Sequence, residues 1–328
     1  MSKTATPAIR HISEHVLEHL VRATATSPPL FVAFQGPQGS GKSYLTSSLK
    51  AHLSETPPRL NVAVLSIDDL YLPHAGLRAL AQEHRENKLW KGRGQPGTHD
   101  AKLGIQLLER LKKINDADAD HDDEVELPVF DKSLHAGEGD RLPPGHGQLV
   151  RKPLDIVLFE GWCTGFYPIS DQELEARWTR RWVPEKQKLS MPDDEDAVCT
   201  KADVQMVNEV LRNYVALWEF FNVFVQIKPA IDKTFTSSEY AVIYKWRLQQ
   251  EHAMKATNGG RGMSDESVKS FVDRYIPGYV FFGDGITEGL EDGVQDGLTK
   301  IRSRPPWIGK GLRLFLGESR DVVRVEKF

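Results

Sequence analysis

A glycine-rich segment near residue 40 combines the residue types that bind phosphate. Residues 36–43 read GPQGSGKS and match the P-loop pattern G-x-x-x-x-G-K-[ST], between an apolar run and a segment with helical spacing. Glycines let backbone N–H groups approach phosphate oxygens without a Cβ atom in the way, and a helix N-terminus favours the same charge. We expect Lys42 to reach the β- and γ-phosphates and Ser43 to bind Mg²⁺, which is favoured over a plain strand-to-helix turn. The predicted nucleotide-binding residues are Gly36, Pro37, Gln38, Gly39, Ser40, Gly41, Lys42, Ser43 and Tyr44.

Carboxylates follow two other apolar runs. In VAVLSIDDLYL, Asp68 and Asp69 come directly after a strand-like run, and Glu160 ends the run LDIVLFE. Because parallel strands expose their carboxyl ends beside the ligand, these groups are expected near the phosphates. Glu160 can hold Mg²⁺ or orient an acceptor, or be an ordinary strand-end glutamate. Asp68 and Asp69 suit either general-base work on a hydroxyl or capping of the next helix, and catalysis is preferred for Asp68 alone.

The remaining motifs narrow the class of reaction. A GTPase is expected to read guanine with N/T-K-x-D, and the nearest match, NKLW at Asn87, lacks the aspartate. An aspartate after the second strand, facing the γ-phosphate, suits transfer to a hydroxyl. The sequence therefore favours a kinase, although the P-loop by itself is equally compatible with a switch protein that binds ATP.

Apolar runs alternate with helical patterns along the chain. Four short, nearly continuous apolar runs suit strands buried on both faces of a parallel sheet, and they span 30–35, 61–67, 154–159 and 222–227. Helical spacing is found in 9–22, 43–54, 101–114, 202–220, 239–256 and 265–275. This alternation predicts an α/β fold of the P-loop NTPase type, with a mostly parallel sheet flanked by helices and with a lid and loop insertions.

The domain organisation follows from the same pattern. No internal repeat or Gly/Ser-rich linker divides the chain, so a single domain over 1–328 is predicted, with an N-terminal helical extension over 1–29. The acidic stretch 115–126 favours a solvated, mobile insertion over a metal cluster. The stretch 184–196 is likewise predicted to be a mobile insertion.

Composition argues against several classes of protein. The formal charge of -4 and the pI near 6.3 disfavour non-specific nucleic-acid binding, which needs a basic field. Only two cysteines occur, so a disulfide framework is not expected and a reducing compartment is favoured. No signal-peptide pattern is found, and no apolar run approaches the ~20 residues that cross a bilayer. We expect a cytoplasmic protein without nucleic-acid or membrane partners; nuclear presence and oligomeric state are left open.

Five segments together point to one family of kinases. In order, GPQGSGKS, SIDDLYL, GRGQPGTHD, LPVFDKSLHAGEGDR and VLFEGWCTGF resemble D-glycerate 3-kinase of plants and its fungal ATP-binding relatives. That family lies within the phosphoribulokinase, uridine kinase and pantothenate kinase group. WRLQQE and FVDRYIPGY continue the likeness toward the C-terminus. The resemblance implies a P-loop kinase that uses ATP and Mg²⁺.

The resemblance also implies roles for individual residues. Asp68 stands where uridine kinase-like enzymes have their general base, and Glu160 matches a glutamate that supports magnesium and the acceptor. Arg247 matches a region that brings cations to the transferring phosphoryl group, but it can equally pair with Glu251 at i,i+4. The implied catalytic residues are Lys42, Asp68, Glu160 and Arg247, and the implied magnesium ligands are Ser43, Asp68 and Glu160.

An acceptor pocket is implied by the same segments. Its residues are Asp69, Tyr71, Arg93, His99, Asp131, Lys132, Arg141 and Trp162. The cations among them suit a carboxylate-bearing hydroxy acid, since arginine can clamp a carboxylate through two parallel hydrogen bonds. The competing interpretations are a structural turn around Arg93 and His99, a solvated loop over 131–141, and packing for Trp162. Phe130 stands where relatives often have tyrosine, which removes one possible hydrogen bond to the acceptor.

The sequence thus predicts in-line transfer of the γ-phosphoryl group from ATP·Mg²⁺ to a hydroxyl, with D-glycerate as the expected acceptor. A kinase for another small acceptor, such as a nucleoside, pantothenate or a sugar, is one alternative. A non-catalytic ATP-binding regulatory protein is the other.

Overall fold

The computed structural model describes residues 5–20, 27–116, 124–192, 194, 198–230, 238–290 and 304–328. Its helices are α1 (Pro7–His19), α2 (Lys42–Glu55), α3 (His74–Glu83), α4 (Ala101–Lys113), α5 (Asp171–Arg177), α6 (Val183–Lys188), α7 (Lys201–Trp218), α8 (Ala241–Thr257), α9 (Asp265–Asp273), α10 (Ile276–Phe282) and α11 (Gly285–Glu288). Its strands are β1 (Leu30–Gln35), β2 (Val62–Ser66), β3 (Glu124–Leu127), β4 (Phe130–Asp131), β5 (Asp140–Arg141), β6 (Gln148–Arg151), β7 (Ile156–Gly161), β8 (Val223–Pro229), β9 (Gly311–Leu316) and β10 (Val322–Lys327).

The central sheet has six strands in the order β10-β9-β8-β1-β7-β2. Strand β10 runs antiparallel to β9, and the other neighbouring pairs are parallel. The predicted apolar runs correspond to β1, β2, β7 and β8. The inner strands are buried on both faces, as their continuous apolar sequences require. The prediction of an α/β P-loop fold with a mostly parallel sheet is confirmed.

Helices cover both faces of this sheet. Ile9, Ile12 and Val16 of α1 pack with Leu45 and Leu49 of α2 on one face. The apolar sides of α4 and α7 belong to the larger cluster on the opposite face. The predicted N-terminal helix is therefore part of the core; its last two predicted positions, 21 and 22, lie outside the described residues.

Two small antiparallel pairs, β3 with β6 and β4 with β5, lie between α4 and β7 in the chain. The β4–β5 pair carries the loop 132–139, because Phe130 pairs with Arg141. Of the acidic stretch 115–126, positions 117–123 lie outside the described residues. On either side of them, Asn115 Nδ2 donates to Leu154 O over 2.7 Å, and 124–126 belong to β3.

The stretch 184–196, predicted to be mobile, is helical over its first part. Helix α6 continues from a π-helical segment, Trp178–Trp182, whose Trp182 is fully buried. Glu185 and Lys186 are buried too, and Lys186 Nζ donates to Asp194 O over 2.9 Å. The buried side chain of Trp182 anchors this segment. The polar sequence that follows Trp182 gives no sign of that anchoring. Positions 193, 195 and 196 lie outside the described residues, and the assignment of 1–328 to one domain stays a prediction.

None of the helices within the described ranges combines the length and the apolar character needed to cross a bilayer.

Candidate active site

The P-loop has a backbone conformation that requires glycine at two positions. Gly39 and Gly41 have φ angles of +73° and +90°, in the left-handed region. A Cβ atom on Gly39 would lie 2.6 Å from the backbone nitrogen of Arg247, so the loop also packs closely against α8. Helix α2 begins at Lys42 without a side-chain cap, which leaves its first N–H groups available to an anion. The loop has the shape and the free donors of a phosphate site.

Hydrogen bonds brace the P-loop from inside. Pro37 O accepts from Ser40 Oγ over 2.8 Å and from Lys42 Nζ over 3.3 Å. The backbone N–H of Gln38 donates to Tyr279 Oη over 3.2 Å. Burial lowers the pKa of the Lys42 ammonium, although nearby carboxylates oppose the shift. The Lys42 ammonium is held by a long hydrogen bond to a neutral carbonyl. A charged phosphate oxygen can replace that carbonyl as its acceptor.

Strand register brings Glu160 to the P-loop. Glu160 of β7 is level with Phe34 of β1 and Ser66 of β2. Its Oε1 accepts a hydrogen bond from the Ser43 hydroxyl over 2.9 Å. A hydroxyl and a carboxylate oxygen in contact at the start of α2 are the hard oxygen ligands that Mg²⁺ takes, so these two predicted ligands fit the ion.

Asp68 lies in the turn that follows β2, which is on the side of β7 away from β1 and the P-loop. The Ser66 hydroxyl caps this turn by accepting from the Asp68 N–H over 3.2 Å, so the Asp68 side chain is not the cap. Asp68 Oδ1 accepts from Tyr71 Oη over 3.0 Å, and Oδ2 accepts from Lys132 Nζ over 2.5 Å. Burial opposes ionisation, but the Lys132 ammonium outweighs it and holds the pKa of Asp68 well below its usual range. Asp68 is an ionised, oriented carboxylate.

Asp69 has a different environment from its neighbour. Its Oδ1 accepts from the backbone N–H of Phe130 over 3.2 Å, which ties the turn after β2 to the β4–β5 pair. Burial raises the pKa of Asp69 to about 6. The contact joins Asp69 to β4, the strand that leads into the loop carrying Lys132. The predicted contact of Asp69 with the acceptor stays a prediction.

An aromatic stack supports Asp68 from the other side. The rings of Tyr71 and His99 are stacked, with centroids 4.5 Å apart, and His99 Nδ1 lies 2.9 Å from Tyr214 Oη. Burial lowers the pKa of His99 to about 4, so the imidazole is neutral at pH 7. Its Nε2 is buried without a hydrogen-bond partner among the described residues.

The two predicted arginines of the acceptor pocket bind backbone carbonyls. Arg93 Nη1 donates to Gly137 O over 2.6 Å and also to Glu138 O. Arg141 Nη2 donates to Tyr71 O over 2.6 Å. Both guanidinium groups therefore fix the loops on the acceptor side, and direct contact with a substrate stays a prediction.

Asp131 and Trp162 also hold the chain in place. Asp131 Oδ1 accepts from the N–H (2.8 Å) and the hydroxyl (2.6 Å) of Ser133 in an exposed turn. Trp162 is almost fully buried and donates from Nε1 to Gly94 O over 2.8 Å. Of the two, Trp162 lines the cleft described below.

Arg247 forms the ion pair with Glu251 that the sequence offered as the alternative to a catalytic role. Its Nη1 lies 2.7 Å from Glu251 Oε2, one helical turn further along α8. The guanidinium also lies over the ring of Phe271, 5.2 Å from its centre. Its predicted catalytic role stays a prediction.

A cleft of about 580 Å³ runs across these groups. It is lined by Gln38, Gly39, Gly41, Lys42, Ser43, Tyr44, Asp68, Lys132, Glu160, Gly161, Trp162, Gln249, Gln250, Ala253 and Arg320. The phosphate loop, the oxygen pair and the Asp68–Lys132 pair thus open onto one space. Five of these residues are not among the predicted site residues: Gly161, Gln249, Gln250, Ala253 and Arg320. Gln249 and Gln250 lie in the segment WRLQQE but were given no role, and Arg320 is 281 positions from its contact Gly39.

Comparison with known proteins decides the family. Probable ATP-dependent kinase TDA10 of Saccharomyces cerevisiae is 38% identical over 261 residues, which cover 79% of this chain and 79% of that protein. The chloroplastic D-glycerate 3-kinase of Arabidopsis thaliana is 32% identical over 77% of this chain, and the match spans 47% of the Arabidopsis protein. The chain belongs to the D-glycerate 3-kinase family. It is an ATP-dependent kinase, as the P-loop and the acceptor-side motifs predict.

Solved structures agree with this family and with the fold. The D-glycerate 3-kinase of Cryptococcus neoformans var. grubii has a TM-score of 0.80 and 37% identity, with 99% of this chain and all of that chain covered. The YGR205w protein has a TM-score of 0.69 and 31% identity, with 98% of each chain covered. A scan against protein-family models gave no match. The resemblance seen in the sequence is confirmed.

Proposed function

We propose that this member of the D-glycerate 3-kinase family transfers the γ-phosphoryl group of ATP to a hydroxyl of D-glycerate. The observation that carries the proposal is the position of Asp68: an ionised carboxylate that opens onto the same cleft as the P-loop. The names of relatives in Arabidopsis and Cryptococcus support glycerate as the acceptor.

Asp68 orients and deprotonates the acceptor. One of its oxygens accepts a hydrogen bond from the attacking hydroxyl, and the proton moves to that oxygen as the new O–P bond forms and the bond to the β-phosphate oxygen breaks. Because the transition state of phosphoryl transfer is loose, orientation of the hydroxyl matters more than the strength of the base. This suits a carboxylate whose basicity Lys132 weakens.

The phosphates are held at the other side of the cleft. The N–H groups at the start of α2 and the Lys42 ammonium contact the donor phosphates. Ser43 and Glu160 are the residues that would hold Mg²⁺, which when bound offsets negative charge on the β- and γ-phosphate oxygens. Asp68 is the third predicted ligand of that ion.

The charge on the acceptor side suits an anion. Lys132 lines the cleft beside Asp68, and the Arg93 guanidinium lies over Phe130, 5.7 Å from the ring centre. A carboxylate on the acceptor can form a charge-assisted hydrogen bond with Lys132, whereas an uncharged sugar or nucleoside can offer it only a weaker, neutral oxygen.

Release of ADP, measured by a coupled assay with a panel of acceptors, tests the proposal. We expect stimulation by D-glycerate and little by L-glycerate, glycerol, uridine or pantothenate. Stimulation by one of the other compounds alone would identify a different acceptor. A slow rate that no acceptor changes would support the regulatory alternative. Lys42→Ala, which is expected to keep the fold, serves as the inactive control.

A further inference from the structure

Two histidines lie one turn apart at the C-terminal end of α1. His15 and His19 are separated by four positions, so they share one face of the helix, and their ring centres are 4.8 Å apart. Glu18 adds a carboxylate beside them. One ring nitrogen of each histidine and one oxygen of Glu18 all lie within 4.8 Å of one another. Three groups that can each offer a lone pair thus converge on the last turn of this helix.

The burial of His15 distinguishes this cluster from the polar groups that ordinarily cover an exposed helix face. His15 is 3% exposed. Its Nε2 lies 3.1 Å from Lys310 O, and because a carbonyl oxygen can only accept, Nε2 carries the proton. Nδ1 of His15 therefore has a lone pair, and this atom is buried without a hydrogen-bond partner among the described residues. Buried polar atoms normally have a partner, so a donor or a cation is expected at Nδ1.

The tautomer of His15 is the one that a metal ion requires. A histidine that binds a metal through one ring nitrogen commonly donates the N–H of the other to a backbone carbonyl or a carboxylate, which fixes the ring. Lys310 O accepts that bond here. Burial lowers the pKa of His15 and of His19, so both imidazoles are neutral at pH 7 and keep a lone pair.

The donor set selects the kind of ion. Two imidazole nitrogens and one carboxylate oxygen are ligands of Zn²⁺ in sites where water takes the fourth position, whereas Mg²⁺ takes oxygen ligands. Bonds of about 2.0–2.2 Å to a tetrahedral ion place neighbouring ligand atoms roughly 3.4 Å apart. Glu18 is exposed and His19 is half-buried, so rotation of these two side chains can bring the three groups to that spacing.

The cluster lies away from the catalytic cleft. Lys310, whose carbonyl binds His15, directly precedes β9 and is at the N-terminal end of that parallel strand. The P-loop, by contrast, follows the C-terminal end of β1. His15, Glu18 and His19 do not line the cleft. Occupancy of the cluster can therefore be measured separately from nucleotide binding.

One cation is already close to the cluster. Lys327 of β10, the last strand of the C-terminal hairpin β9–β10, has its Nζ 2.7 Å from Glu18 Oε2. Both side chains are exposed, and an ion pair of this kind contributes little to stability. The ammonium therefore competes with a metal ion for the carboxylate without preventing its binding.

We propose that His15, Glu18 and His19 form a Zn²⁺ site that stabilises the last turn of α1. The ion binds Nδ1 of His15, one ring nitrogen of His19 and one oxygen of Glu18, and water completes the four ligands. Its charge lies at the C-terminal end of a helix, where the helix dipole favours a cation. The site takes no part in phosphoryl transfer, so the proposal is independent of the acceptor.

The test is titration of the full chain with Zn²⁺ by calorimetry, in excess Mg²⁺ so that the oxygen ligands of the cleft are occupied. His19→Gln is expected to weaken Zn²⁺ binding at least roughly 10-fold, because one of three ligands is lost. His11→Gln is the matched control, since His11 is exposed and lies two turns before His19 in the same helix; its affinity should stay within about twofold of the wild type. Failure of the wild type to bind Zn²⁺, or equal affinity in His19→Gln, would overturn the proposal.

Lys327→Met gives the opposite signature. Removal of the competing ammonium is expected to strengthen Zn²⁺ binding by about two- to fivefold, the size of one exposed ion pair. An unchanged or weaker affinity would show that Glu18 is not a ligand.

Thermal unfolding tests the stabilising role. Zn²⁺ should raise the Tm of the wild type and of His11→Gln, because it binds the folded chain, and should raise that of His19→Gln less at the same concentration. An equal rise in all three proteins would mean that Zn²⁺ acts at another place.

Discussion

Lys132 Nζ lies 2.5 Å from Asp68 Oδ2, so the residue proposed to receive the acceptor proton is already paired with a cation. The two residues come from different parts of the fold, the turn after β2 and the loop after β4. The pair sets the charge of the acceptor end of the cleft: it keeps Asp68 ionised and leaves the ammonium available to an anionic acceptor.

Asp68→Asn is expected to lower kcat by roughly 10²–10⁴-fold, because the amide can no longer take the proton of the attacking hydroxyl. The affinity for ADP measured without Mg²⁺ should stay within about twofold, since the side chain of Asp68 contacts Tyr71 and Lys132 rather than the P-loop. Steady-state kinetics together with ADP titration check this. An equal loss in kcat and in ADP affinity would contradict the assignment.

Lys132→Met should shift the pH profile of the reaction. Lys132 lowers the pKa of Asp68 in the folded enzyme, so without the ammonium this pKa rises and a larger fraction of Asp68 is protonated in mildly acidic solution. The acidic limb of the kcat profile is therefore expected to move to higher pH. Profiles of wild type and variant between pH 4.5 and pH 8 measure the shift. A limb that does not move would mean that another group controls it.

Asp69→Asn should affect stability in a pH-dependent way. Burial raises the pKa of Asp69 to about 6 in the folded chain, above the value of 3.8 of an unfolded aspartate, so the fold loses stability as the pH rises from the lower value to the higher one and loses no more above it. The variant keeps an oxygen that can accept from the Phe130 N–H and carries no charge. We expect it to be more stable than the wild type at pH 8, by about 1 kcal/mol after allowance for solvent screening, and nearly equal to it at pH 4. Thermal unfolding at the two pH values measures this difference, and a constant difference would contradict it.

Gly39→Ala should disrupt the P-loop. The added Cβ would lie 2.6 Å from the backbone of α8, at a φ of +73°, so both the loop and the helix must shift. Binding of ADP is expected to weaken at least roughly 10-fold, because the N–H groups lose their common direction. Gly145→Ala is the matched control: its φ is +92°, but no heavy atom of the described residues beyond its two chain neighbours lies within 4 Å of the new Cβ, so only a small loss of stability is expected. If the two variants bind ADP equally well, close packing of the loop against α8 is not needed for nucleotide binding.

Much of the phosphate site was predictable from the sequence because its residues are local. The P-loop, its lysine and its serine lie within eight consecutive residues, and the apolar runs on either side identify the strand that leads into it. Glu160 was predictable for a related reason: a carboxylate that ends a buried parallel strand must emerge at the edge where the ligand binds.

The residues assigned to an acceptor pocket stay a prediction, and their contacts could not be predicted from the sequence. Arg93 and Arg141 were expected to line the acceptor pocket. In the structure each donates a hydrogen bond to a backbone carbonyl, Arg93 to Gly137 O and Arg141 to Tyr71 O. Asp68 and Asp69 are adjacent in sequence, and only their tertiary environments, the Lys132 ammonium for one and burial for the other, give them opposite pKa shifts.

The sequence by itself determined the class of fold, the phosphate-binding loop and the carboxylates at the strand ends, because these depend on residue spacing and on which side chains a buried strand can carry. Only the tertiary structure decided that Lys132 forms an ion pair with Asp68, that Arg247 pairs with Glu251, and that Arg320 reaches the P-loop from the C-terminal hairpin. Each of these depends on the distance between side chains that are brought together by the order of strands in the sheet and by the packing of helices. Local patterns in a single chain do not contain that order.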